Sequence, residues 1–321
     1  MKLKEIFDIG INSGMEADPR GREGVENALK KVRAKYEALP EDQKKYFDSE
    51  LLTNAYGDSR ILAGDPEAEI GCILAGIDMD LPELLLAKEL NRDGAGIDLV
   101  LSHHPRGVAL ESLPQVMGLL PHVIAKVCFN LNEARVQLTP KRKEVALSVG
   151  RANYQRAVDE AELLGLNYMC MHTPCDNLLA AYLTELFAEK QPQRPGDIIE
   201  LLLAEEEYAT AAARRNAPVM ANGDINNAVG KILVDMTGGA DGPGQYYEQL
   251  PWHGVDTVVC MSISKELLEA AEKVHLNVIV AGHMASDSLG VNLFLDKLEA
   301  KGVRIIPTSG LIRVKRGQEN A

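Results

Sequence analysis

The chain has 321 residues, too many for one ordinary core, so two domains or one large discontinuous domain is expected. Its 34 basic against 47 acidic residues give a formal net charge of −13, which disfavours nonspecific binding to nucleic acid or to anionic membranes. A composition of 46% hydrophobic and 25% charged residues is globular, no apolar run approaches the roughly 20 residues of a membrane helix, and a cytoplasmic location is expected. The five cysteines, Cys72, Cys128, Cys170, Cys175 and Cys260, are odd in number and include no CxxC pair. Neither a disulfide framework nor a thiolate zinc site is indicated, and they read as buried thiols.

Residues 1–54 are charged and helix-forming, with an amphipathic spacing from Gly24 to Arg33 and a break at Leu39-Pro40, and they carry no evident chemistry. The run Ile70 to Asp78 predicts a strand, and Leu81-Pro82 opens a helix with proline in its first turn. After a Gly-Ala-Gly break, residues 97–101 predict a second strand, buried on both faces, which ends in Ser102-His103-His104-Pro105. Strand, helix and strand in this order are a βαβ unit with parallel strands and a right-handed crossover. The pattern from 111 to 165 is helical, with one long stretch from Lys141 to Leu164 that closes at Gly165. Leu166 to Met171 is strand-like again and runs into His172-Thr-Pro-Cys-Asp-Asn177. Pro192 to Gly196 reads as a linker. Beyond it come an acidic helical segment, a glycine-rich loop Gly238 to Gly244, a strand at Val255 to Met261, a helix Lys265 to Val274, a strand Leu276 to Ala281 and then Gly282-His283-Met-Ala-Ser-Asp287. A last helix and a strand at Val303 to Pro307 follow, and no tandem repeat is visible.

Three strands therefore end in imidazoles and carboxylates. Proline ends the strand at His104, so both imidazoles can serve one site although neighbours inside a strand point to opposite faces. Carboxyl ends of strands in open α/β sheets are where ligands bind. Taken singly each cluster has a plainer reading: His-His-Pro as a loop detail, His172 or His283 as a buried histidine, Asp176 as a helix cap. Coincidence favours a site, because of the seven histidines only His122, His253 and His275 do not directly follow strands. An N/O ligand set without thiolates suits Zn, Mn, Fe, Co or Ni. His283 and Asp287 are four apart and share a helix face. The donors exceed the needs of one catalytic ion and suit two ions roughly 3.5–4 Å apart.

Asp98-Leu-Val-Leu-Ser-His-His-Pro105, His172 to Asn177 and Ala281 to Asp287 resemble the three signature motifs of the NIF-three-like family, often labelled type-two GTP cyclohydrolase-I homologues. Leu62-Ala-Gly-Asp-Pro-Glu-Ala-Glu-Ile70 resembles that family's opening motif. The resemblance implies a two-domain α/β fold with a mixed or parallel sheet, flanking helices and an inserted second domain. Its metal domain would comprise 1–180 and 265–321, with 1–54 as a helical extension and 111–165 as a helical insertion, and the inserted domain would be 181–264. It further implies two divalent metal ions held by His103, His104, Asp176, His283 and Asp287, and a ring-like homo-oligomer, often a hexamer. Three departures stand out. Asp287 replaces the usual glutamate and is shorter by about one C–C bond of roughly 1.5 Å. Arg106 replaces an apolar residue, and the 67 residues between His104 and His172 exceed the family's spacing, so the insertion should cover or border the site.

The expected function is a divalent-metal-dependent, cyclohydrolase-like hydrolase of a small nucleotide-like or phosphorylated heterocyclic substrate. His172 is the candidate proton carrier or support for the metal ligands. Arg106 is the candidate substrate-binding residue, weighed equally against a surface arginine paired with a local acid. The glycine-rich loop lacks a P-loop lysine and reads as an ordinary loop. Two alternatives are a non-catalytic metal-binding scaffold or regulatory protein, and a metal-dependent phosphoesterase. Partners other than the small molecule and further copies of the chain, namely nucleic acid and membrane, are not expected.

Overall fold

A computed structural model describes residues 1–127 and 130–316; Cys128 lies outside the described residues. Its strands are β1 (Arg60–Ala63), β2 (Cys72–Gly76), β3 (Leu99–Ser102), β4 (Asn167–Cys170), β5 (Val219–Asn222), β6 (Lys231–Asp235), β7 (Val255–Cys260), β8 (Asn277–Val280) and β9 (Arg304–Pro307). They form two sheets, ordered β1-β4-β3-β2-β9 and β5-β8-β7-β6. In each sheet the first strand is antiparallel to its neighbour and the others are parallel.

The continuous apolar runs of the inner strands follow from burial on both faces. Ile73, Ala75, Leu99, Leu101 and Met169 face one core, which holds the helix Leu3–Glu16 and Val291, Phe294 and Leu298 of the helix His283–Glu299. Leu74, Val100 and Tyr168 face another core, against the helices Leu81–Arg92 and Arg156–Leu164. In the second sheet Val234, Val259 and Ile279 pack on Leu179, Leu183 and Phe187 of the helix Thr173–Lys190 and on Ala285 and Leu289. The Thr173 and His283 helices thus lie between the two sheets and touch both cores. They approach closely at Gly290, where a Cβ would stand 2.5 Å from the Cys175 carbonyl oxygen.

The topology corrects three expectations. β8 pairs with β7, so a domain boundary at 265 would cut the second sheet; that sheet continues to Val280 before β9 returns the chain to the first. A repeat is present after all, written in hydrogen-bond registers: β1 to β4 and β5 to β8 have the same order and directions. Asn167 opens β4 and Asn277 opens β8, and each carboxamide abuts a positive-φ glycine after its antiparallel neighbour, Gly64 and Gly223. No fixed period reveals this, because the long insertion separates β3 from β4 whereas one short helix, Lys265–Lys273, joins β7 to β8. The stretch expected as one helix from Lys141 to Leu164 is instead two, Leu131–Val149 and Arg156–Leu164.

Val108–Ala125 is, by length and hydropathy, the one stretch among the described residues able to cross a membrane, which the sequence reading missed. Half of it is buried, and it breaks into short turns that pack Met117, Leu120, Val123 and Ile124 onto the second sheet's core. Cys72, Cys170, Cys175 and Cys260 are free and buried.

Candidate metal centre

β3 and β4 are hydrogen-bonded neighbours, so the residues that follow them emerge side by side: His103 and His104 from one, His172 to Asp176 from the other. The His283 helix begins directly after β8 and brings His283 and Asp287 to the same point from the second sheet. All five residues expected as ligands are brought together, and His172 joins them. The Nε2 atom of His103 lies 3.4 Å from Asp176 Oδ1 and 3.5 Å from Asp287 Oδ1. The Nε2 atoms of His104 and His283 lie 3.3 and 3.5 Å from Asp287 Oδ2. Asp287 therefore turns one oxygen to His103 and the other to His104 and His283, a bridging disposition reached despite its short side chain.

His172 and Asp176 repeat the His283 and Asp287 pair: each is a histidine four residues before an aspartate at the start of a helix after the corresponding strand. Their Nε2–Oδ2 distances are 3.8 and 3.5 Å. Possible ligand atoms gather in three overlapping groups, His103-His104-His172, His104-His283-Asp287 and His103-Asp176-Asp287, each within 4.8 Å.

Three imidazoles are aimed from behind. His103 Nδ1 is 3.0 Å from the Met171 carbonyl, His104 Nδ1 is 2.9 Å from Asp78 Oδ1 and His172 Nδ1 is 2.8 Å from Asp58 Oδ2. Each partner accepts the Nδ1 proton, so Nε2 is the nitrogen turned toward the centre and the one left to take a metal ion. Asp58 is fully buried and also accepts from the Thr173 hydroxyl at 2.6 Å. Neither Asp58 nor Asp78 was read from the sequence. The available signal was an aspartate in the polar run Tyr56-Gly-Asp-Ser-Arg60 before a strand, and one in Ile77-Asp-Met-Asp80 after another.

Arg106 does not reach the centre. Its guanidinium donates to Asp80 at 3.1 Å, to Asp78 at 2.9 Å and to the Pro105 carbonyl. It is the arginine paired with local acids, and through Asp78 it braces His104. The N-terminal segment contributes more than bulk: Asp18, buried and salt-bridged to Arg20, accepts from the Tyr56 hydroxyl at 2.7 Å. Asn177 adjoins this network and accepts from Thr237 of the second sheet at 2.6 Å, tying the residue after Asp176 to both halves.

Donor chemistry fits divalent ions. His103 Nε2 and both oxygens of Asp287 are buried without a hydrogen-bond partner, which native interiors rarely tolerate unless an ion or water completes them. Burial disfavours charge on His103, yet the carboxylates of Asp287 and Asp176 outweigh it and raise its pKa well above 6.5. His172 is raised too, burial being overcome by Asp176 and Asp58. Burial opposes charge on Asp287 as well, but His103 and His104 hold it far below the usual carboxylate range. The cluster demands positive charge at its middle, and metal ions would take the place of imidazole protons there.

Fold and site together define a two-sheet α/β protein with a His/Asp metal-binding cluster where the strand ends of its duplicated halves meet. A solved NIF3 superfamily structure shares this fold, in line with the resemblance of the three motifs. A NIF3 superfamily protein from Sphaerobacter thermophilus is 25% identical with a TM-score of 0.75, over 97% of this chain and 99% of that one. Reduced HcgD from Methanocaldococcus jannaschii is 15% identical over 77% and 87% of the two chains, TM-score 0.46. A Bacillus cereus protein related to NIF3 is 13% identical over 82% and 92%, TM-score 0.41. No family model and no curated protein matches the chain.

Proposed function

We propose that the protein is a dinuclear, divalent-metal-dependent hydrolase of a small nucleotide-like or heterocyclic substrate. The observation that carries the proposal is the set of buried, unpartnered ligand atoms, His103 Nε2 and both Asp287 oxygens, around which three further imidazoles and Asp176 converge. His103, His104, His172, Asp176, His283 and Asp287 would hold the ions. Divalent ions, when bound there, would supply a water of lowered pKa and polarise a substrate oxygen. Asp58 and Asp78 fix two imidazole orientations, and Arg106 is assigned to holding Asp78 rather than substrate. His172 is assigned as a ligand because its duplicate, His283, stands in the same relation to Asp287 as His172 does to Asp176. Substrate reaches the ions through a cavity bounded by His172, Asp176, His283 and Asp287 on one side and by residues after β6 and β7 on the other. His283, with a side chain 45% exposed, marks the open edge of the cluster.

The test is metal analysis with anomalous diffraction, followed by turnover of cyclic amides, nucleotides and phosphomonoesters by loaded protein. Two ions at the cluster, lost in His104→Ala, together with Asp176-dependent ring hydrolysis, are expected. Full metal content in His104→Ala would falsify the ligand assignment. Ions saturated by protein ligands, with no turnover, would make the protein a scaffold, and turnover of phosphomonoesters alone a phosphoesterase. Homo-oligomerisation belongs to the same proposal and is read by light scattering.

A further inference from the structure

The cavity over the metal cluster has a second wall, and the duplication says what that wall has become. Ser102 pairs with Cys170 in the first sheet as Cys260 pairs with Val280 in the second. The next N–H groups agree: Met171 donates to the Ser102 carbonyl and Ala281 to that of Cys260. Met261 and Ser262 therefore stand where His103 and His104 stand. By the same registers Asp235, paired with Cys260, occupies the place of Gly76, paired with Ser102. The second half has a thioether and a hydroxyl in place of two imidazoles, and a carboxylate in place of a glycine.

Asp235, Asp241, Tyr247, Met261 and Ser262 line the same cavity as His172, Asp176, His283 and Asp287, and among the described residues no lysine or arginine lines it. The buried Tyr247 hydroxyl donates to Asp235 Oδ2 at 3.0 Å, the one hydrogen bond to this carboxyl group among the described side chains. Asp241 Oδ2 accepts from the Ser264 backbone N–H at 3.2 Å. Independently of this acidic pair, Asp287 is 1% exposed and presents two unpartnered oxygens to the cavity, which points to bound ligand there. With metal ions balancing Asp176 and Asp287, the far wall keeps its own negative charge. A phosphate or carboxylate seated against it would meet like charge with no cation to offset it, whereas an N–H edge would find acceptors.

We propose that Asp235 and Asp241 are specificity-determining residues of the metal site, selecting a substrate whose end remote from the metals presents N–H donors, as the exocyclic amino group and adjacent ring N–H of a cyclic acylguanidine do. This rests on the metal-centre reading above and makes it more specific: an anionic group of the substrate belongs at the metals, and the donor-bearing ring at β6 and β7. Carboxylates accept paired N–H groups in parallel, so the discrimination is one of hydrogen-bond pattern as well as charge.

Calorimetric titration of the full-length protein, with and without metal, tests it. The probes are 2-aminopyrimidin-4-one, pyrimidin-4-one, which lacks the amino group, and inorganic phosphate. The aminated ring is expected to bind at least tenfold tighter than its parent, and Asp235→Asn to remove that preference while metal content stays at the wild-type value. Asp241→Asn should reduce the preference in the same direction. Equal binding of the two rings, no binding of either, or an unchanged preference in Asp235→Asn overturns the inference. Failure to take up metal would count against the metal-centre reading instead, and the metal-free titration would still decide the role of Asp235.

Discussion

Replacing Asp58 separates the charge behind His172 from the hydrogen bonds it makes. Both the His172 Nδ1–H and the Thr173 hydroxyl converge on one oxygen, Oδ2. Asparagine can present its carbonyl at that position and keep both bonds, losing the negative charge that makes the imidazole a better ligand and turning its NH2 group to the Ser59 hydroxyl, which donates to Oδ1 at 3.4 Å in the wild type. Partners of this kind are worth about 10- to 100-fold in metal affinity, or about 1.4–2.8 kcal/mol. Asp58→Asn is therefore expected to weaken metal binding by that factor with little change in metal-free stability. Asp58→Ala goes further, because it strands two donors in a fully buried place at about 1–3 kcal/mol each. The expected loss is about 2–6 kcal/mol of stability, a large share of the about 5–15 kcal/mol that holds a typical domain. Competition with a chromophoric chelator measures the first effect and urea denaturation the second. Wild-type metal affinity in Asp58→Asn would show that His172 is not a ligand, or that its orientation is set elsewhere.

Metal itself should stabilise the fold: at a free concentration 100 times Kd the gain is about 2.7 kcal/mol, so chelator must lower the denaturation midpoint, and a midpoint indifferent to chelator contradicts the ligand set. Burial pushes Asp235 up to about 6, against the Tyr247 hydrogen bond. Because the folded state holds this proton more tightly than the unfolded chain, metal-free stability should fall as pH rises from about 4 to 6 and then level, by about 1–3 kcal/mol for a partly exposed group. Asp235→Asn should flatten that slope in denaturation curves taken across the range, and a slope equal to wild type would exclude Asp235 as its source. Gly290→Ala places a Cβ 2.5 Å from a main-chain oxygen that cannot swing away. It should cost about 1–3 kcal/mol and weaken metal binding, and a variant with normal stability and affinity would mean that the helices do not need this contact.

The metal cluster was legible because each of its members follows a strand within a few residues. Prolines 105 and 174 fix the chain direction at two of those ends, so local sequence carried the geometry. Asp58 was not legible: it lies more than a hundred residues from His172, and only the antiparallel pairing of β1 with β4 brings them together. Arg106 stayed open between two readings for a related reason. Its neighbourhood in sequence is the His-His-Pro corner, but its partners Asp78 and Asp80 belong to the loop after β2, one strand away. The duplication was hidden because its conserved content is a pattern of main-chain pairings with few side chains attached. Placing β8 in the first domain followed from that same blindness, since β8 resembles β4 and carries the third motif.

The contact at Gly290 has a bearing on how such a centre can change. Asp176 adjoins Cys175, and Asp287 lies less than one turn before Gly290, so both carboxylates are anchored where two helix backbones touch. The separation of these two carboxylates is then a property of the main chain. Exchanging imidazoles or carboxylates would alter which ions the cluster could hold, while the spacing of the two carboxylate anchors would still be inherited from the helix crossing. A redesign for a different metal pair, or for a single larger ion, would have to begin at position 290 and leave the ligands for later.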